Sequence, residues 1–182
     1  MKLYHTSPRD IEKIHDQGLY GSSLFFSHNP YFMGGHEGIV YEMDIDENEI
    51  LDVSRIPYLD LEDFEKIKPV VEEIQEITEL NEEESTDLLS EKKDIQSLYN
   101  ELEEYANFYH ENDHNEDDKQ RKLNLYENLG QKDLGDIAWK IQSLAGKAAK
   151  LLGFRGAKLF DEQGVSYLID MMNKEYDLKK IL

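Results

Sequence analysis

The sequence predicts an α+β fold, and two observations carry that expectation. Short apolar runs with strand-like patterning lie at both ends of the chain, and a long, glycine-poor, acidic stretch of helical periodicity lies between them. Strands on both sides of a helical middle imply one domain, residues 1–182, whose termini share a sheet, with an acidic helical insertion at about residues 60–130.

The elements follow in order. Lys2-Leu3-Tyr4-His5 reads as a strand ending at Thr6-Ser7-Pro8, because proline cannot continue a ladder. Arg9 to Gln17 reads as a short helix with Ile11 and Ile14 inward, stopped by Gly18. Leu24 to Ser27 is a second strand. Gly38 to Ile45 is a third, with Ile39, Tyr41, Met43 and Ile45 alternating, and Ile50 to Val53 a fourth. From Asp60 to Gly130, Val70, Ile74, Ile77 and then Ile95, Leu98, Leu102 and Tyr105 recur at helical spacing. This gives two or three amphipathic helices with a polar break near Asn112 to Asp118. Asp136 to Leu152 is a further helix, closed by Gly153. Phe154 to Phe160 and Val165 to Met171 are strands joined by the hairpin-like Asp161-Glu162-Gln163-Gly164, in which Gly164 is free to take a positive φ.

Composition narrows the function. With no cysteine, disulfides and thiolate zinc sites are excluded. No signal-peptide pattern and no apolar run of about 20 residues occur, so a cytoplasmic protein without membrane association is expected. A net charge of −20 repels phosphate backbones and disfavours nucleic acid as a direct ligand, while it favours a basic partner. No G-x-G-x-x-G, P-loop or nucleophile-elbow pattern is present. His110-Glu111-Asn112-Asp113-His114 fits H-E-x-x-H. Yet Asn112, Asp113 and Asn115 are poor helix formers and an acidic run follows, so no metal site is expected there.

The residues left with chemical character are His5 at a strand end, the aromatics Phe25, Phe26, Tyr31 and Phe32, and the adjacent carboxylates Asp161 and Glu162. Each has an ordinary structural reading when taken alone. Together, an aromatic shelf, a histidine and a carboxylate suit cleavage of a sugar–nitrogen bond. The planar leaving group stacks, and the cation developing at the anomeric carbon is stabilised by the carboxylate.

His5-Thr6-Ser7-Pro8, the segment from Ile11 to Leu19, and Leu24-Phe25-Phe26-Ser27 resemble the opening motifs of the ADP-ribosyltransferase fold. The runs Ala138 to Ser143, Ala148 to Gly156 and Asp161 to Tyr167 are similar to phage-encoded anti-CRISPR ADP-ribosyltransferases that disable the type I-F surveillance complex. The resemblance implies a split β-sheet core and NAD⁺ as co-substrate, with no further cofactor. It also implies the cytoplasm of the host bacterium as the place of action. The acceptor would be a protein side chain in the DNA-recognition part of that complex. His5 would contact the nicotinamide-side ribose, the Thr6 backbone would bind the nicotinamide amide beside Ser7, and Phe25 or Tyr31 would stack. The catalytic carboxylate would be Asp161 or Glu162, with Gln163 beside it. Two other readings stay open: an acidic mimic of DNA that acts without chemistry, and an ADP-ribosylating toxin with another target.

Overall fold

A computed structural model describes residues 1–30, 38–161 and 164–182, and within these the side chains of all but Asn112 and Asp161. The chain forms two compact units, one from Met1–Arg55 with Ala145–Leu182 and one from Ile56–Leu144.

The first unit contains two sheets. β1 (Lys2–Ser7), β3 (Ile39–Asp44) and β7 (Lys179–Lys180) form one in the order β1-β3-β7. β2 (Ser23–Phe26), β6 (Gly164–Asp170), β5 (Gly156–Asp161) and β4 (Ile50–Asp52) form the other in the order β2-β6-β5-β4. The pairings are antiparallel except that of β4 with β5. The termini do share a sheet: β1 and β7 both flank β3, and the Ile45 N–H donates to the Met1 carbonyl at 2.9 Å. Alternation turns Leu3, Met43, Phe26, Tyr167 and Ile169 into one buried cluster with Ile14, Ile45 and Met171, so both sheets feed one core. The hairpin of β5 and β6 closes at the register pair Asp161↔Gly164, and Gly164 has φ +115°.

α5 (Leu134–Leu151) ends as the sequence predicts. The Phe154 N–H donates to the Ala149 carbonyl and the Gly153 N–H to that of Lys150, with Gly153 at φ +85°. This is the Schellman arrangement, which satisfies carbonyls the helix leaves over.

The expected helix over Arg9 to Gln17 does not form. Its amide donors find partners far along the chain instead of four residues back. The Ile11 N–H donates to the Tyr41 hydroxyl and the Ile14 N–H to the Glu175 carboxylate, each at 2.8 Å. Ile14 is still buried and Ile11 packs on the same core, so the inward positions were legible while the conformation was not.

The second unit is helical: α1 (Leu61–Thr78), α2 (Glu82–Leu89), α3 (Ile95–Glu104), α4 (Glu116–Gly130) and the first turns of α5. The expected two or three helices before residue 130 are thus four. Each begins on a carboxylate or amide side chain that accepts from a first-turn N–H: Asp60, Asn81, Asp94 and Asn115. Asn81 and Glu84 form a reciprocal capping box. α3 passes into a π-turn at Tyr105–Tyr109 and a 3₁₀ turn at His110–Asn112. The two histidines of the H-E-x-x-H pattern therefore do not share a helical face, since Asp113 between them is extended.

Candidate active site

Among the described residues the two sheets meet at one isolated bridge. The Tyr4 N–H donates to the Ser27 carbonyl at 2.8 Å and the Ser27 N–H returns to the Tyr4 carbonyl at 3.0 Å. Beyond this bridge β1 belongs to one sheet and β2 to the other, which leaves a seam between them. His5 is the next residue along β1. Its Nδ1 reaches the Phe25 carbonyl at 2.7 Å, and its ring lies 5.5 Å from that of Phe26, tilted by 49°.

That geometry sets the state of the ring. A carbonyl oxygen only accepts, so Nδ1 carries the proton. Burial penalises the imidazolium and lowers the His5 pKa below its ordinary value, against the opposing pull of the Phe25 carbonyl. At neutral pH the ring is uncharged and Nε2 is a hydrogen-bond acceptor, suited to a sugar hydroxyl.

Thr6 follows. In an antiparallel pair both polar groups of one residue point to the same side, and the side alternates along the strand. The Tyr4 groups turn away from β3 to the Ser27 bridge, so those of Thr6, two residues on, also face away from β3. The Ser7 hydroxyl donates to the Arg9 carbonyl at 2.6 Å and closes the turn after β1. Phe25 is half-buried, with its ring edge-on to Tyr20 at 4.9 Å. His5, Thr6, Ser7 and Phe25 thus gather at one end of β1 and β2. Asp161 ends β5 and its backbone pairs with Gly164, with its side chain outside the described residues; Glu162, Gln163 and Tyr31 lie outside them altogether.

Sequence reasoning did not single out a polar row beside the seam. Phe26 pairs with Tyr167, Tyr167 with Lys158, and Lys158 with Asp52, so the four side chains share one face of the sheet. The Tyr167 hydroxyl and His28 Nε2 are 2.8 Å apart with their rings edge-on, and burial raises the Tyr167 pKa. Lys158 Nζ donates to Asp52 at 2.8 Å. Burial pushes the Asp52 carboxyl up, but the donors from Lys158 and Ser54 together outweigh it and its pKa falls. The period-two spacing of Phe26 and His28 was the available signal.

An α+β fold built on two sheets is consistent with that of an ADP-ribosyltransferase. The chain belongs to the family described as Anti-CRISPR Type I-F ADP-ribosyltransferase AcrIF11, which matches residues 1–177. It is therefore an NAD⁺-dependent ADP-ribosyltransferase of the anti-CRISPR class directed against type I-F systems. No curated protein matches the chain. It is similar to a solved structure titled "Crystal structure of an anti-CRISPR protein", at 17% identity and a TM-score of 0.49, over 93% of this chain and 88% of that one. Among the described residues no helix is long and apolar enough to cross a membrane.

Proposed function

We propose that the protein transfers ADP-ribose from NAD⁺ to one side chain of a DNA-contacting subunit of the type I-F CRISPR-Cas surveillance complex, in the host cytoplasm, and that the modified complex no longer grips DNA. The observation that carries the site is His5, oriented at the seam by the Phe25 carbonyl and kept neutral by burial.

In this reading His5 Nε2 accepts from a hydroxyl of the nicotinamide-side ribose. The Thr6 backbone binds the nicotinamide amide, beside the turn that Ser7 closes, and Phe25 or Tyr31 stacks on the leaving ring. Asp161 is the carboxylate that stabilises the cationic anomeric carbon, with Glu162 as the alternative and Gln163 beside it. The bond from that carbon to the nicotinamide nitrogen breaks, and both electrons leave with nicotinamide, which departs neutral. The acceptor side chain then attacks and surrenders its proton to the carboxylate or to water. The product carries two added phosphates where the complex binds DNA, so charge and bulk both oppose association.

Intact masses of every subunit test this after incubation of a type I-F complex with the protein and NAD⁺. One ADP-ribose increment on one subunit is expected, absent with Asp161→Ala and strongly reduced with His5→Ala. Stoichiometric loss of DNA binding without any increment would overturn the enzymatic reading in favour of a mimic. Full transfer by Asp161→Ala would move the carboxylate role to Glu162.

A further inference from the structure

The helical unit holds a surface that catalysis does not use. At the end of α3 the helix widens into the π-turn Tyr105–Tyr109, a form that is rare and frequent at functional sites. The Tyr105 hydroxyl donates to Asp113 at 2.5 Å, and Lys122 Nζ lies 4.7 Å from the centre of its ring. Phe108 and Tyr109 stand out further, 71% and 56% exposed. The adjoining His110 Nδ1 is buried without a hydrogen-bond partner among the described residues. A widened turn with an orphaned polar atom and two aromatics in water costs stability, and such a cost points to use.

The surroundings define the partner. Residues 94–118 contain nine Asp or Glu and no Lys or Arg. Glu103, Glu104 and Glu111 are exposed in the same segment, Glu104 accepting from the Tyr109 hydroxyl at 3.5 Å and Glu103 hydrogen-bonding with Tyr126, and none of the three forms an ion pair among the described residues. Exposed aromatics inside an acidic rim match a protein face that is basic around an apolar recess. They do not match nucleic acid, whose phosphates the rim repels and whose aromatic platforms come with cations.

We infer that Phe108 and Tyr109, rimmed by Glu103, Glu104 and Glu111, anchor this enzyme on a basic, DNA-gripping protein face of its acceptor complex. The inference rests on the reading of that complex as the acceptor. The aromatics supply the buried contact, and the carboxylates supply long-range attraction and register.

The test measures affinity of the full chain for purified type I-F complex without NAD⁺, then KM and kcat for transfer with NAD⁺ present. F108A/Y109A and E103K/E104K/E111K are the variants, each checked for an unchanged circular dichroism spectrum. Each should weaken binding and raise the KM for the complex at least tenfold while leaving kcat unchanged. Wild-type affinity and KM in both variants would overturn the inference. So would a change of the protein from dimer to monomer in F108A/Y109A at unchanged affinity, because the face would then join two copies of this chain. Absence of any ADP-ribose increment from the unaltered chain would count against the enzymatic reading, and the affinity measurement would still judge the docking face.

Discussion

His5 spans the two sheets through one hydrogen bond, and its burial there has a thermodynamic consequence that the bond only partly offsets. The folded ring resists protonation because burial desolvates the charge, whereas in the unfolded chain it titrates near the ordinary value of 6.5. Between the lowered folded pKa and 6.5 the unfolded state binds more protons, so stability falls as pH drops through this window. This one group contributes a slope of at most about 1.4 kcal/mol per pH unit. His5→Gln has no proton to gain and should lack that component. Urea unfolding from about pH 5 to 8, the range where histidine titrates, measures the difference; parallel curves for the two proteins would show that His5 titrates normally. The role of such a residue is legible in sequence only in part. A histidine at a strand end is visible, but its tautomer is set by a carbonyl twenty positions away. The partnership of Tyr167 with His28 spans 139 positions, and no local pattern announces it.

At the scale of elements, the sequence was most readable where burial repeats. β1, β2, β3 and β6 and helices α1, α3 and α5 carry their apolar residues at periods that only one conformation can bury together. Reading failed where long-range polar contacts replace local ones, as over Arg9 to Gln17, and where an element has no apolar signal. β7 is only Lys179–Lys180, a charged edge paired to Tyr41 and Glu42. Glycines at close approaches give a sharper test of packing. A Cβ on Gly156 would stand 2.7 Å from the Leu168 carbonyl oxygen and 3.1 Å from the Ile169 Cα, backbone that cannot move aside. A Cβ on Gly146 of α5 would meet only the Leu168 side chain, 2.8 Å from Cδ2 and 3.5 Å from Cγ, and the new alanine would regain helix propensity. Gly156→Ala should therefore cost about 1–3 kcal/mol, as overpacking does. Gly146→Ala should stay within about 1 kcal/mol of the parent, because the ~1 kcal/mol gained over glycine offsets the displaced methyl. Thermal or denaturant unfolding of the two variants checks the order, and equal midpoints would contradict the close pairing of β5 with β6.

Over the whole molecule, charge is divided between the two units. Residues 56–144 hold 25 Asp or Glu against nine Lys or Arg, a net −16, whereas the sheet-bearing remainder carries only −4. Among the described residues, the helical unit's cations lie mostly in surface pairs such as Lys66 with Asp63, Lys122 with Asp118 and Lys140 with Glu73. Exposed pairs of this kind contribute about 0–1 kcal/mol each. With acids in such excess, unrelieved repulsion within the helical unit outweighs them, and a unit so charged is less stable than its packing allows. That same charge favours approach to a basic acceptor. Salt must therefore act with opposite signs on two observables. Raising ionic strength from about 0.05 to 0.5 M shortens the Debye length roughly threefold. The helical melt at 222 nm should shift upward by a few degrees as repulsion is screened, while kcat/KM for modification of the complex should fall at least tenfold as steering is lost. If the melt falls instead, the ion pairs dominate and the repulsion argument is wrong. If kcat/KM does not change with salt, the excess acid plays no part in finding the acceptor, and its effect is confined to the protein's own stability.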